Sequence, residues 1–475
     1  MLYRLFPALA LVSGIASAEL TIEPYNFEAR GQEPVAAELG RFNVPAHHED
    51  ANRGSLDLGF VRFPSTNPNP GHPIVYLAGG PGGSGTGTAK GARFSLFMAL
   101  REVADVIAFD QRGTGLSNPP MGCRAAQPFP AGLAINRENW LNYASESAKY
   151  CHNKWQAEGV DLSAYTTWQS ARDLEILRKE LGAEKLNLWG ISYGTHLALA
   201  ALKAMPDRIE RVVLASAEGL DQTVKLPAHA DQFFARVEQA VVAAGAVDRY
   251  PDLVNTMRRV LTKLDQQPVT VSIIPQGHSE PVDISFDSTV IRFYTAFFLT
   301  KNPSNIANLP ATYAALDAGH FDPVAMGVYQ LVYASPTGFG AMSTAMDVAS
   351  GISSQRLALV NEQAKTAIMG DFMNYPMPHL IEQFPSVPDL GESFRAPFKT
   401  EVPALFLTGT LDGRTFPEAH AEVMAQFANA QQLVIENAGH DLFMVAPEVT
   451  TAIKGFLANG KAGISRLQLP PPQFN

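Results

Sequence analysis

Residues 186–200 read "LNLWGISYGTHLALA": a short apolar run, a serine between two glycines, then small and apolar residues at helical spacing. The pattern predicts a strand over "LNLW" that turns sharply at Gly190-Ile191-Ser192-Tyr193-Gly194 into a helix beginning "THLALAALKAM". A serine on such a strand-to-helix turn is strained, and side chains two residues to either side would collide with neighbouring backbone, which is why G-x-S-x-G carries glycines there. The dipole of the following helix favours an oxyanion beside the turn. Five residues alone fit an ordinary tight turn equally well, so the meaning of Ser192 rests on its surroundings.

Those surroundings alternate. "SLDLGFVRFP" (55–64), "IVYLAG" (74–79), "DVIAFD" (105–110), "RVVLAS" (211–216), "PALFLTG" (403–409) and "QLVIENA" (432–438) read as short strands. "SARDLEILRKELG" (170–182) and "PEAHAEVMAQFANA" (417–430) read as helices between them. Strands alternating with helices predict an α/β chain with a mostly parallel sheet flanked by helices. The alternation breaks over 221–395, where helical stretches dominate. "HADQFFARVEQAVVAAG" puts Phe233, Phe234, Val237 and Val241 on one face, and "STVIRFYTAFFLT" does the same with Ile291, Tyr294, Phe297 and Phe298. The expected organisation is a core in two parts, 19–220 and 396–475, interrupted by a mainly helical cap at 221–395 whose aromatics form its own core.

At 475 residues, 46% hydrophobic and 17% charged, the chain is long enough for such a domain and too apolar for a disordered one. Its 36 Lys+Arg against 46 Asp+Glu give a net charge of -10 with no basic run, which argues against a nucleic-acid partner. The opening "MLYRLFPALALVSGIASAEL" has one cation, an apolar stretch and a small-x-small ending at Ala16, Ser17 and Ala18. It is expected to be a secretory signal (1–18) cleaved after Ala18. A buried helix would not need that ending, and the run falls short of the roughly 20 residues that span a bilayer. No later segment is expected to span either. Only two cysteines occur, Cys123 and Cys151. Export favours a pair, and two separate buried thiols are the alternative.

A serine hydroxyl is a poor nucleophile until a base, itself held by a third group, removes its proton. Of eleven histidines, only His440 in "IENAGHDLF" sits in a Gly-containing loop directly after the last strand, and Asp412 in "LFLTGTLDGRT" lies just past the strand before it. Singly, each is a turn residue of no note. Together with Ser192 they stand at the carboxyl ends of successive strands, in the Ser, acid, His order of α/β-hydrolases. Asp441 is the rival acid, though adjacent residues rarely orient one another's rings. A tetrahedral intermediate also needs backbone donors: the N–H of Tyr193, and one from Gly79 or Gly80 in "LAGGPGGSG" (77–85). The same loop formally fits G-x-G-x-x-G at Gly80, Gly82 and Gly85, with Asp110 about 25 residues on, as in a dinucleotide fold. Pro81 counts against that, because it removes an N–H meant for pyrophosphate.

"GGPGGSG" (79–85), "FDQRGTGLS" (109–117), "GISYGT" (190–195), "GTLDGRT" (409–415) and "NAGHD" (437–441) together resemble the prolyl aminopeptidase and tripeptidyl aminopeptidase branch of the α/β-hydrolases. The resemblance covers about 40–220 and 396–460. It implies a cap-gated serine hydrolase, usually an exopeptidase acting at a free N-terminus, with Ser192, Asp412 and His440 as triad and Cys123 paired with Cys151. One departure is Ala78, where prolyl aminopeptidases carry histidine. Backbone oxyanion donors survive it.

An aminopeptidase must recognise an ammonium group, and a carboxylate near the site is the physical means. Glu218, just past "RVVLAS", is the first candidate, with Asp221 and Asp231 its neighbours in sequence, although each could equally be a solvated loop acid. Arg112 in "DQRG" is expected to anchor loops. The expectation is an exported serine hydrolase, an aminopeptidase acting on small peptides, without metal or organic cofactor. A carboxylesterase or lipase-like enzyme is the alternative, and a non-catalytic α/β-hydrolase-fold binding protein is a more distant one.

Overall fold

The computed structural model describes residues 20–117 and 121–474, so the signal read at 1–18 lies outside the described residues. In chain order the strands are β1 (Thr21–Phe27), β2 (Val35–Pro45), β3 (Ser55–Phe63), β4 (Ile74–Leu77), β5 (Val106–Phe109), β6 (Gly122–Arg124) and β7 (Leu186–Ser192). They continue as β8 (Ile209–Ala217), β9 (Val269–Ile273), β10 (Val282–Phe286), β11 (Gly338–Gly340), β12 (Ala404–Gly409), β13 (Ala430–Glu436) and β14 (Arg466–Gln468). Ten of them form one sheet in the order β1-β2-β3-β5-β4-β7-β8-β12-β13-β14. From β5 through β14 every pairing is parallel, while β1, β2, β3 and β5 pair antiparallel. The antiparallel edge at β1 and β2 is an addition to the strands read from the sequence.

The central strands are covered on both faces, and so they read as unbroken apolar runs: β4, β5 and β12 are buried throughout. Alternation still sorts their side chains. Leu188 and Phe406 face the helices Thr167–Glu180 and Tyr193–Ala204, whereas Trp189 and Leu407 face Phe94–Leu100 and Pro447–Asn459.

A third apolar cluster lies mostly within 221–395. Phe233, Phe234, Val237 and Val241 of the Pro227–Ala243 helix are all buried there, on the face their spacing predicts. The second aromatic stripe departs from its reading. The Ser288–Tyr294 helix runs on as a π-turn, Thr295–Leu299. Its extra residue per turn rotates later side chains off the helical face, leaving Phe297 37% and Phe298 40% exposed while Ile291 stays buried.

The cluster is not confined to one stretch of chain. Phe129, Ile135 and Trp140 pack into it from upstream, and the Ala341–Ser350 helix packs instead on the sheet's own core. β11 pairs with β6. Beside that pairing Cys123 and Cys151 form a disulfide, which removes the alternative of two separate thiols. Among the described residues no helix is long and apolar enough to cross a membrane.

Candidate active site

The turn at the end of β7 holds Ser192 at φ 54, a left-handed conformation rare for a residue with a Cβ. Its glycines are demanded by close approach. A Cβ on Gly194 would stand 2.0 Å from the Leu77 carbonyl oxygen, and one on Gly190 2.6 Å from that of Gly194. Thr195 braces the turn, donating its hydroxyl to the Ser192 carbonyl at 2.7 Å and accepting the Glu218 N–H at 2.8 Å. Ser192 lines a cavity of about 660 Å³, large enough for a small peptide.

Gly79 and Gly80 line the same cavity. A Cβ on Gly79 would lie 2.9 Å from the Ile191 carbonyl and 3.2 Å from the Ser192 Cβ, so a side chain here would hold the loop off the serine. Tyr193 opens the Tyr193–Ala204 helix, where a backbone N–H has no acceptor within its own helix. Its phenol is buried against Thr167 and Met346, and burial pushes its pKa well up. What it can offer the cavity is its backbone.

Asp412 follows β12 and is fully buried. It accepts the N–H groups of Arg414 (2.8 Å) and Thr415 (2.9 Å), the Thr415 hydroxyl (2.8 Å) and, at 3.0 Å, the Nδ1 of His440 from the loop after β13. Burial alone would raise its pKa, but the charge and ring N–H of His440, with smaller contributions from His420 and the Thr415 N–H, hold it far below the carboxylate range. A permanently ionised partner at Nδ1 leaves Nε2 as the working nitrogen of His440, which also lines the cavity. Asp441 also lines the cavity, but it ion-pairs with Arg93 at 2.8 Å and is not the acid that meets the His440 ring.

Of the three acids named for an amine, the structure brings one to the cavity. Glu218, at the end of β8, lines it and receives the Lys225 ammonium at 3.1 Å. Asp221 instead accepts the N–H and hydroxyl of Ser353, at 2.7 and 2.5 Å, at the start of the Ser354–Ala364 helix. Asp231 is tied to the Ile368 N–H at 2.9 Å and to Arg258 at 3.0 Å. Neither lines the cavity. Both are used up by local backbone and ion-pair demands, and sequence proximity to Glu218 does not survive the turn after β8.

Asp347 was missed. It lines the cavity from the Ala341–Ser350 helix, and among the described residues its carboxylate has no hydrogen-bond partner. Burial, and then the charge of Glu218, push its pKa up to about 7, with Lys225 opposing. The available signal was a lone acid in "AMSTAMDVAS", an otherwise uncharged helix.

The dinucleotide reading fails on Asp110. That side chain is fully buried and braces the glycine loop, accepting the Ser84 hydroxyl (2.8 Å) and the N–H groups of Thr86 (3.0 Å) and Leu116 (2.8 Å), so it is not free to meet a ribose. Arg112, also fully buried, joins Asp173 to the carbonyls of Pro45, Ala46 and Ala164. Among the described residues no group of three or more His, Cys, Asp or Glu is placed to hold a metal ion.

A family model described as the alpha/beta hydrolase fold matches residues 72–447. Among curated proteins, the chain is 29% identical over 190 residues to "Serine protease Hip1" of Mycobacterium tuberculosis (strain ATCC 25618 / H37Rv), covering 38% of this chain and 36% of that protein. It is 29% identical over 223 residues to the "Tripeptidyl aminopeptidase" of Streptomyces coelicolor, covering 44% and 40% respectively. To the "Proline iminopeptidase" of Arabidopsis thaliana it is 31% identical over 187 residues, covering 38% and 37%. The chain thus spans less than half the length of the curated relatives it matches.

Proposed function

The chain belongs to the alpha/beta hydrolase fold family, and from that premise we propose that it is an exported serine hydrolase that releases residues from the free N-terminus of small peptides. The observation that carries this reading is one cavity lined by Ser192, His440 and three carboxylates, of which Asp441 is paired with Arg93 and the other two are Glu218 and Asp347. The similarity to a tripeptidyl aminopeptidase and a proline iminopeptidase supports it. The disulfide supports export, since such bonds persist in oxidising compartments.

In this mechanism His440 takes the proton of Ser192 Oγ through Nε2 as the oxygen attacks the scissile carbonyl. The N–H of Tyr193, with that of Gly80 or Gly79, receives the oxyanion. His440 then gives its proton to the leaving amine, the C–N bond breaks, and an acyl-enzyme remains. Water, deprotonated by the same histidine, releases the acid and restores the serine. Asp412 holds the imidazole ring and stabilises its charged form. Glu218 and Asp347 face the ammonium of the substrate, and the 221–395 segment acts as the cap, contributing Lys225, Phe297 and Asp347 to the wall.

Ser192→Ala is expected to lower kcat/KM by about 10⁴-fold or more with no loss of thermal stability. Aminoacyl anilides with free and blocked amines, assayed beside a p-nitrophenyl ester, test the substrate class. A preference for free amines supports the aminopeptidase reading, and a preference for blocked or ester substrates overturns it. The second reading, an esterase, draws on Phe297, Met373 and Met377 in the cavity wall, which would suit an apolar acyl chain. A chain whose Ser192 does not react with a fluorophosphonate would be a binding protein.

A further inference from the structure

Four cations line the cavity: Arg93, Lys225, Lys301 and Arg414. Two are compensated, Arg93 by Asp441 and Lys225 by Glu218. The other two are in no ion pair, although the charges of Asp412 and Glu218 act on Arg414 from nearby. Among the described residues Lys301 is exposed and has no hydrogen-bond or ion-pair partner. Arg414 donates to the Ala296 carbonyl at 2.9 Å and lies over the Phe297 ring at 5.6 Å, leaving most of its five N–H donors free.

Their placement follows from how the cap meets the loops below it. The turn between the Thr295–Leu299 segment and the Pro303–Ile306 helix rests on both the Asp412 and the His440 loops. A Cβ on Gly413 would lie 2.8 Å from the Thr300 Cβ and carbonyl oxygen; one on Gly439 would lie 2.8 Å from Pro303 Cδ and 3.2 Å from Asn302 Cα. Two glycines, each next to a residue of the Asp412–His440 pair, thus let the cap backbone come down on either side of Lys301. Arg414 reaches the same segment from beneath through Ala296 and Phe297.

A histidine that protonates the leaving nitrogen must have the leaving fragment on its own side of the scissile bond. Taking the aminopeptidase reading above as its basis, we propose that Lys301 and Arg414 bind a carboxylate on the leaving fragment. The preferred substrates are then short peptides with a free carboxyl one or two residues past the scissile bond. An ammonium meets Glu218 and Asp347 on the acyl side, and a carboxylate meets the lysine and the forked guanidinium on the other. A second source of the same chemistry, an Asp or Glu side chain on the first leaving residue, is separable by experiment.

The test compares kcat/KM for free-amine peptides that share one acyl residue and release alanine, alanine amide or glutamic acid α-amide. The acid is expected to exceed the amide by about tenfold or more. Faster cleavage of the glutamyl amide than of the alanine amide would assign the contact to a side-chain carboxylate. The acid-to-amide ratio should fall towards one in Lys301→Glu and in Arg414→Met, and Arg414→Lys should restore part of it. If Arg414→Met does not fold, the wild-type ratio and Lys301→Glu decide. Equal rates for all three leaving groups in the wild type, or a ratio unmoved by Lys301→Glu, overturn the proposal while free-amine dependence, if present, leaves the aminopeptidase reading standing. If no peptide is cleaved, that reading falls by itself. Protection of Ser192 from a fluorophosphonate by alanylalanine over its amide then supports the carboxylate site, and equal protection overturns it.

Discussion

Asp347 sits where an otherwise uncharged helix meets the cavity, with Glu218 as its anionic neighbour and Lys225 as the nearest counter-charge. Its folded pKa, pushed up to about 7 by burial and by Glu218, exceeds that of an unfolded aspartate. The unfolded chain releases this proton near pH 4, about the ordinary aspartate value, while the folded chain keeps it to about pH 7. The contribution of Asp347 to stability therefore falls as pH rises through that window. Asp347→Asn is expected to gain stability relative to wild type at pH 8 more than at pH 5, as read by urea unfolding. On the proposed function, the same variant should also lose the fall in KM for free-amine substrates between pH 6 and 8, because the asparagine cannot acquire charge. Equal stability differences at both pH values would show that the carboxyl is already ionised at pH 5. At this scale the sequence named Ser192, Asp412, His440 and Glu218 through motif and strand position. Asp347 escaped because it lies inside a helix of the inserted segment, whose short strands are not part of the main sheet and give no carboxyl-end rule by which to place an acid.

The turn after β7 shows how tightly one element constrains another. Gly194 lies against the last residue of β4, with no room for a methyl group beside the Leu77 carbonyl. Gly194→Ala is therefore expected to cost about 3 kcal/mol or more, since backbone cannot yield as a side-chain end can. A shifted midpoint in thermal or urea unfolding measures it, and an unshifted one would mean that β4 and the helix move apart freely. Strand identities were legible because buried parallel strands must be short, apolar and bounded by turn residues. The second aromatic stripe was misread for an equally physical reason. Spacing arguments assume 3.6 residues per turn, and a π-turn at Thr295–Leu299 breaks that assumption just where Phe297 is delivered to the cavity.

Across the whole molecule, the disulfide ties the β6 strand, which pairs with β11 of the inserted segment, to the long Arg137–Ala157 helix. Its closed loop, with a sequence separation of 28, corresponds to about 3 to 4 kcal/mol of stabilisation on the chain-entropy model. Reduction, or Cys123→Ser with Cys151→Ser, should lower the unfolding free energy by about that much, and an unchanged urea midpoint would contradict it. By itself the sequence determined the α/β architecture and put the candidate serine, acid and histidine at the ends of β7, β12 and β13, because strand period, turn chemistry and motif spacing are local properties. Only the tertiary structure decided which acids reach the cavity, that Phe297 faces it, and that Lys301 and Arg414 line the same cavity as His440. Those outcomes depend on where a long insertion folds back over the sheet, and contacts between residues a hundred or more positions apart leave no periodic trace in the chain.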